Sequence, residues 1–163
     1  MKVAQALLVL ASVFAASMIA QEPGTHVPSV AFAPVGRVQV KPGGTANVQL
    51  DFRVGPDFHV NSNHPHSELL IPTQLKLTAV QPVSVPTLKY PAGEDVSFPF
   101  APDEKLSVYS GDFSINAVVK VPLNAKAGDY PVTGELHFQA CDRRACYPPR
   151  TTPVKFTVSV ASK

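Results

Sequence analysis

The sequence predicts an all-β domain built as a two-sheet sandwich, and three observations favour this fold. Apolar and polar residues alternate strictly over several runs, which places one set of side chains on a buried face and the other in water. Seventeen prolines and nine glycines are spread along the chain and separate these runs. No stretch beyond the N-terminal region sustains a helical period. Seven to nine short strands at this spacing are typical of a β-sandwich.

The individual strands and turns can be assigned from these patterns. The alternating apolar residues are Val48, Leu50, Phe52 and Val54; Phe113, Ile115, Ala117, Val119 and Val121; Leu136, Phe138 and Ala140; and Val154, Phe156, Val158 and Val160. The predicted turns are Pro42-Gly43-Gly44, Gly55-Pro56-Asp57, Pro91-Ala92-Gly93, Ser110-Gly111-Asp112 and Ala127-Gly128-Asp129. Between Tyr90 and Tyr109 the alternation is less regular, and we expect a long excursion over one end of the sandwich. Because the chain has no tryptophan, the antibody pattern of a tryptophan between distant cysteines is absent, and an immunoglobulin likeness is one of outline.

The N-terminal residues have the composition of a secretory signal peptide. Lys2 supplies one positive charge, an apolar run covers 6–16, and small residues follow. The apolar run is shorter than the roughly 20 residues that a membrane span needs. We therefore expect a signal peptide over 1–20, a flexible leader over 21–29 and one β-sandwich domain over 30–163.

Charge and hydropathy exclude two classes of partner for the mature chain. The formal net charge is +2, and Lys2 contributes one of these charges. So small a charge indicates neither nucleic acid nor an acidic membrane as a partner. No later segment is apolar over a long enough stretch to span a bilayer, so no stable membrane insertion is expected.

Cys141 and Cys146 are the only cysteines, and they lie between two strong strand patterns. The pair is therefore predicted to occupy or close the connection of a β-hairpin. An exported protein is found where disulfides persist, and two cysteines allow one intramolecular connectivity.

The character of this disulfide follows from its ring size and its neighbours. In the chain-entropy model, closing so small a ring contributes only about 2 kcal/mol. Arg143 and Arg144 lie inside the ring and favour the thiolate, which is the form that attacks and leaves in exchange reactions. These observations favour a redox-active pair over a structural one, although inert hairpin disulfides also occur in exported domains.

A metal site is a weaker interpretation of the same residues. The histidines that would join the two thiols as zinc or copper ligands are His26, His59, His64, His66 and His137. Both methionines fall in the N-terminal region, and no histidine closely follows Cys146, which argues against a blue-copper arrangement. No hydrolase constellation and no phosphate-binding loop is present. We expect neither a metal nor a cofactor.

Four segments together resemble a known family, the N-terminal periplasmic domain of the thiol:disulfide interchange protein DsbD. The most specific is 138–149, which reads aromatic-Gln-Ala-Cys, four residues, then Cys-Tyr-Pro-Pro. Three further segments agree in order: Phe-His-Val-Asn-Ser-Asn-His-Pro at 58–65, Tyr-Pro-Ala-Gly at 90–93, and Val-Tyr-Ser-Gly at 108–111. The likeness covers most of 30–160.

The resemblance implies a periplasmic, immunoglobulin-like sandwich with a reversible disulfide at one end. It implies electrons received from a thioredoxin-like domain that a membrane-embedded electron donor feeds. It also implies reduction of thioredoxin-fold partners, such as disulfide isomerases or cytochrome c maturation factors. Cys146 takes the role of the cysteine that forms mixed disulfides, and Cys141 that of the resolving thiol. The family closes an aromatic-bearing loop over the disulfide, for which 98–105 is the candidate here.

Two departures from the family keep a second function open. The family's full protein continues into a membrane domain and a thioredoxin domain, whereas this sequence stops at Lys163. The expectation is a free-standing relay served by separate proteins, or a relative with a changed task. A spacing of five residues between the cysteines also occurs in the family, so the four here slightly alter the ring. The alternative function is a non-catalytic binding module whose disulfide is inert.

Overall fold

The computed structural model describes residues 27–162, and this part of the chain contains strands and no helix. The all-β prediction is confirmed. The strands are β1 (Val30–Phe32), β2 (Val38–Val40), β3 (Thr45–Val54), β4 (His59–Asn61), β5 (Gln74–Ala79), β6 (Ser84–Lys89), β7 (Glu94–Phe98), β8 (Ala101–Ser110), β9 (Asp112–Lys120), β10 (Gly128–Phe138), β11 (Ala140–Cys141) and β12 (Arg150–Val160). The predicted signal peptide and residues 21–26 of the predicted leader lie outside the described residues.

The strands form three four-stranded sheets that together make an immunoglobulin-like sandwich. The first sheet has the order β1-β3-β9-β6 and the second the order β2-β12-β10-β5. The third, with the order β11-β4-β8-β7, lies at one end of the molecule. All neighbours pair antiparallel except β2 and β12, which run parallel. Antiparallel sheets of this kind bury one face and expose the other, which explains the alternating pattern of the sequence.

One hydrophobic core joins the inward faces of the strands. Leu50 of β3 and Ile115 of β9 are directly paired and fully buried. Leu136 of β10 and Val158 of β12 are also fully buried and belong to the same cluster. The predicted alternation in these four strands is therefore the pattern of the core.

The third sheet consists largely of strands that continue those of the two main sheets. A turn at 55–58, where Asp57 has a φ of 65°, leads from β3 into β4. Gly111, with a φ of 60°, separates β8 from β9. Gln139 lies between β10 and β11, so that the chain leaves the second sheet and enters the third two residues before Cys141. Three strand pairs thus continue from a main sheet into the third sheet or back: β3 with β4, β8 with β9, and β10 with β11. These continuations attach the cysteine segment to the end of the core.

The segment between Tyr90 and Tyr109 is more regular than the sequence predicts. It forms the antiparallel hairpin β7–β8, with Pro99 and Phe100 at its tip. The hydrophobic alternation is weak because residues 102–105 are all exposed, so neither face of that part of β8 selects for apolar side chains. The strand number, twelve in residues 27–162, also exceeds the predicted seven to nine. The excess comes from strands of two or three residues, which are too short to show a period.

None of the described residues belongs to a helix with the length and apolar character needed to cross a membrane.

Candidate active site

The two cysteines form a disulfide in the connection between β10 and β12. Cys141 and Cys146 are joined by an S–S bond of 2.03 Å. Phe138, near the start of this connection, pairs directly with Arg150 at its end. The predicted position of the pair in a hairpin connection is therefore confirmed.

The two sulfur-bearing residues differ strongly in their exposure. Cys141 is 0% exposed and pairs with His59 of β4. Cys146 is exposed, as are Arg143 and Arg144 in the same ring. An incoming group therefore has access to Cys146, whereas the rest of the fold covers Cys141.

Asp142 organises the ring between the cysteines. Its Oδ1 accepts hydrogen bonds from the backbone N–H groups of Arg144 at 2.7 Å and Ala145 at 2.9 Å. Its Oδ2 accepts one from the Tyr147 hydroxyl at 2.8 Å. These bonds, led by that from the Arg144 N–H, hold the pKa of the Asp142 carboxyl below its usual value. The carboxylate thus caps the turn as an Asx motif and brings a negative charge close to the two arginines.

A second network fixes the chain where it leaves the ring. Asn61 Nδ2 donates to the Gln139 Oε1 at 3.3 Å, and Gln139 Nε2 donates to the Tyr147 carbonyl at 3.3 Å. The Tyr147 N–H donates to the Ala140 carbonyl at 2.9 Å. The Tyr147 ring packs edge-on against Phe58, with centroids 5.7 Å apart. Tyr147, directly after Cys146, is therefore tied to Gln139 and Ala140 and packs against Phe58.

The β7–β8 hairpin covers the side of β4 that carries His59. Phe98 stacks on the His59 ring with centroids 3.9 Å apart and an interplanar angle of 16°. Phe100 stacks on Phe98 at 5.5 Å and is itself 39% exposed. Because His59 and Cys141 are cross-strand partners, their side chains lie on the same face of the third sheet. The candidate loop over 98–105 therefore lies beside the disulfide, with Phe98 covering His59, the cross-strand partner of Cys141.

His59 is buried in the neutral form. It is 4% exposed, and burial lowers its pKa from 6.5 to about 4, while the charge of Asp142 opposes this shift. Its Nε2 atom is buried and has no hydrogen-bond partner. The Oδ1 atom of Asn61, two residues along the same strand, is likewise buried and unpaired. Unpaired buried polar atoms are few in folded proteins, and each calls for an explanation.

The histidines of residues 27–162 do not form a ligand group with the cysteines. His66 pairs with Asp95 through Nε2 at 2.7 Å, and both side chains are about half exposed. No group of three or more His, Cys, Asp or Glu side chains within residues 27–162 is placed to hold a metal ion. His26 lies outside the described residues.

Several residues of this site were not assigned a role in disulfide exchange from the sequence. Gln139 and His59 fall within the segments that resemble the family, but nothing in their spacing indicates a hydrogen-bond network or burial. Asp142 is visible in the ring, and an Asp two and three residues before backbone donors is the known signal of an Asx turn. Asn61 and Tyr147 become neighbours of the ring only through the pairing of β11 with β4.

Solved structures similar to this chain include two that contain the DsbD N-terminal domain and one of an ScsB domain. The reduced DsbD N-terminal domain of Neisseria meningitidis is 15% identical, with 68% of this chain and 76% of that chain covered and a TM-score of 0.40. The N-terminal periplasmic domain of ScsB from Proteus mirabilis is 13% identical, with a TM-score of 0.50, and the alignment covers 85% of this chain but only 48% of the ScsB chain. A complex of the DsbD and PilB N-terminal domains of N. meningitidis matches at 15% identity over 67% of this chain and 73% of that chain, with a TM-score of 0.41.

Sequence comparison identifies the family directly. No curated protein matches the sequence. The family described as "Thiol:disulfide interchange protein DsbD, N-terminal" matches residues 28–158, which include β1 to β11, most of β12 and both cysteines. The chain therefore belongs to the family of DsbD N-terminal domains, a family of thiol:disulfide exchange proteins.

Proposed function

We propose that this chain is a periplasmic thiol:disulfide oxidoreductase domain that relays reducing equivalents to thioredoxin-fold proteins through Cys146 and Cys141. The observation that carries the proposal is the unequal exposure of the two cysteines, 0% for Cys141 and exposed for Cys146. A sulfur has to be approached by another protein's thiolate before a mixed disulfide forms. The exposed residue is therefore the exchange sulfur and the buried one the resolving sulfur.

Both halves of the exchange cycle, reduction of the domain by its donor and reduction of the partner by the domain, take place at Cys146 Sγ. To load the domain, the donor's thiolate attacks Cys146 Sγ, the bond to Cys141 breaks, and Cys141 leaves with the electron pair as a thiolate. The donor's second thiol then releases Cys146. To unload it, the Cys146 thiolate attacks the disulfide of the partner, and Cys141 attacks Cys146 to release the partner's second thiolate. The domain ends oxidised and the partner reduced by two electrons.

The immediate surroundings support this cycle. Arg143 and Arg144 are exposed beside Cys146 and stabilise a thiolate there by charge, although Asp142 offsets part of this effect. The complex between the DsbD and PilB N-terminal domains of N. meningitidis supports a protein as the partner. A membrane-fed, thioredoxin-like donor, and disulfide isomerases or cytochrome c maturation factors as acceptors, complete the proposal. The signal peptide predicted over 1–20 would deliver the chain to the periplasm.

A direct transfer experiment tests the proposal. The chain is reduced, freed of reductant, and mixed with an oxidised thioredoxin-fold protein of the disulfide isomerase or cytochrome c maturation class. We expect the partner's thiols to appear at the rate at which those of the chain disappear. A chain with both cysteines replaced by alanine is the control and should transfer nothing. A reduced chain that keeps its thiols in the presence of every acceptor tested would instead favour a binding module with an inert disulfide.

A further inference from the structure

The buried imidazole of His59 is the feature that the exchange cycle leaves unexplained. It lies across β4 and β11 from Cys141, on the same face of the sheet. Directly opposed residues of antiparallel strands have Cβ atoms about 5 Å apart, so their side chains are in contact range. Phe98 closes over the ring and shields it from water. The His59 side chain thus lies on the same face as that of Cys141, and its Nε2 has no hydrogen-bond partner.

An unpaired donor beside a disulfide has a distinct chemical use. Leaving a buried polar group without a partner costs about 1–3 kcal/mol. The cost persists only while Cys141 is bonded to Cys146, because a disulfide sulfur is a weak acceptor. When the bond breaks, a negative charge develops on the Cys141 sulfur, which is 0% exposed and has little access to water. A donor that is already in position stabilises such a charge without reorganisation and acts more strongly in a dry site.

We propose that His59 donates a hydrogen bond from Nε2 to the Cys141 sulfur as that sulfur becomes a thiolate, and so assists both opening and resolution of the disulfide. The proposal deepens the exchange function and rests on it. Loading breaks the Cys141–Cys146 bond, and the electron pair remains on the Cys141 sulfur beside the Nε2–H. The histidine gives up no proton in this step, since a hydrogen bond suffices. In the unloading direction the same contact maintains the thiolate that attacks Cys146.

The charges around the ring are consistent with a neutral donor. Asp142, on the ring next to Cys141, is the carboxylate whose charge reaches His59. Phe98 and Phe100 of the hairpin tip carry no charge, and the directly opposed residue of β8 is the neutral Ser110. Burial outweighs Asp142, and the imidazole stays uncharged at neutral pH. A neutral ring on a protected face holds its orientation through the stack with Phe98.

Thiolate titrations of single-cysteine chains test this role without any partner protein. Cys146→Ala leaves Cys141 alone, and Cys141→Ala leaves Cys146 alone. Each is compared with and without His59→Phe, which keeps an aromatic ring against Phe98 and removes both nitrogens. The thiolate is followed by its ultraviolet absorbance as the pH is raised. We expect His59→Phe to raise the midpoint for Cys141 by about one pH unit or more and to leave that for Cys146 nearly unchanged.

A conservative variant separates hydrogen bonding from packing. His59→Gln retains an N–H donor, and we expect it to restore most of the lost thiolate at Cys141. An unchanged Cys141 midpoint in His59→Phe, or an equal shift at both cysteines, would overturn the proposal. If the variants do not fold, the nitrogen resonances of His59 in the unaltered, reduced chain give the answer. We expect the chemical shift of Nε2 to change as Cys141 ionises. A chemical shift that stays constant through this ionisation would contradict the proposal.

The titration and the electron-transfer experiment together distinguish a failure of the His59 role from a failure of the relay function. A Cys141-specific shift without electron transfer to thioredoxin-fold proteins would support the His59 contact and contradict the proposed partners. Electron transfer without the shift would support the relay and contradict the role of His59.

Discussion

Cys141→Ala should accumulate a mixed disulfide with an oxidised thioredoxin-fold partner, while Cys146→Ala should trap on the order of tenfold less. In the first variant the exposed Cys146 attacks the partner, and no second thiol remains to release it. In the second the remaining sulfur belongs to Cys141, which lies on β11 beside β4 and is 0% exposed. Non-reducing gels of the two variants after incubation with the same partner measure the difference.

The double variant, Cys141→Ala with Cys146→Ala, is the matched control and should give no reducible band. Equal or greater trapping by Cys146→Ala would reverse the roles of the two cysteines. The exposure difference would then be an incorrect guide to which sulfur is attacked. Trapping by neither variant would count against a thioredoxin-fold partner altogether.

Acid should destabilise the chain through His59 by about 3 kcal/mol between neutral pH and pH 4. The pKa of His59 is about 4 in the fold and 6.5 in the unfolded chain, so the unfolded state binds more protons in this range. A depressed pKa therefore contributes stability that is fully present above pH 6.5 and is lost as the pH falls towards 4. Denaturant unfolding at a series of pH values measures the free energy of unfolding directly.

The same experiment on His59→Phe isolates this contribution. A phenylalanine has no proton to gain, so the fall in the free energy of unfolding between pH 7 and 4 should be smaller by about 3 kcal/mol. The carboxylates with lowered pKa values, among them Asp142 and Asp129, lose their contribution at lower pH and are shared by both chains. Parallel pH profiles of the two chains would show that His59 is not buried in the neutral form.

The strands of the core were predictable because each has one buried and one solvated face. Leu50 and Ile115 stand in such alternating runs, and both are fully buried in the sandwich. The place of Cys141 and Cys146 in a hairpin connection followed from the strand patterns on either side. The local sequence period and the two-cysteine count are sufficient to predict the core strands and the hairpin position of the cysteines, since these two features depend on residues that are near neighbours in the chain.

The site itself depends on contacts that no local pattern records. In β4, His59, Val60 and Asn61 are all buried, which no alternating pattern records; His59 is 4% exposed, and Phe98 of the distant hairpin stacks on its ring. Likewise, the change of sheet at Gln139 depends on its bonds to Asn61 and to the Tyr147 carbonyl. Long-range covering of this kind converts a surface position into a buried one without changing the sequence period.

The reduction potential of the Cys141–Cys146 pair tests the central claim most directly. The chain is equilibrated with a thiol–disulfide couple of known potential, and the fraction of oxidised chain is measured after acid quenching. A relay between thioredoxin-like donors and acceptors requires a potential within about −270 to −120 mV, and we predict a value in this range. A potential below about −300 mV, typical of structural disulfides in exported proteins, would contradict the exchange function and support an inert bond.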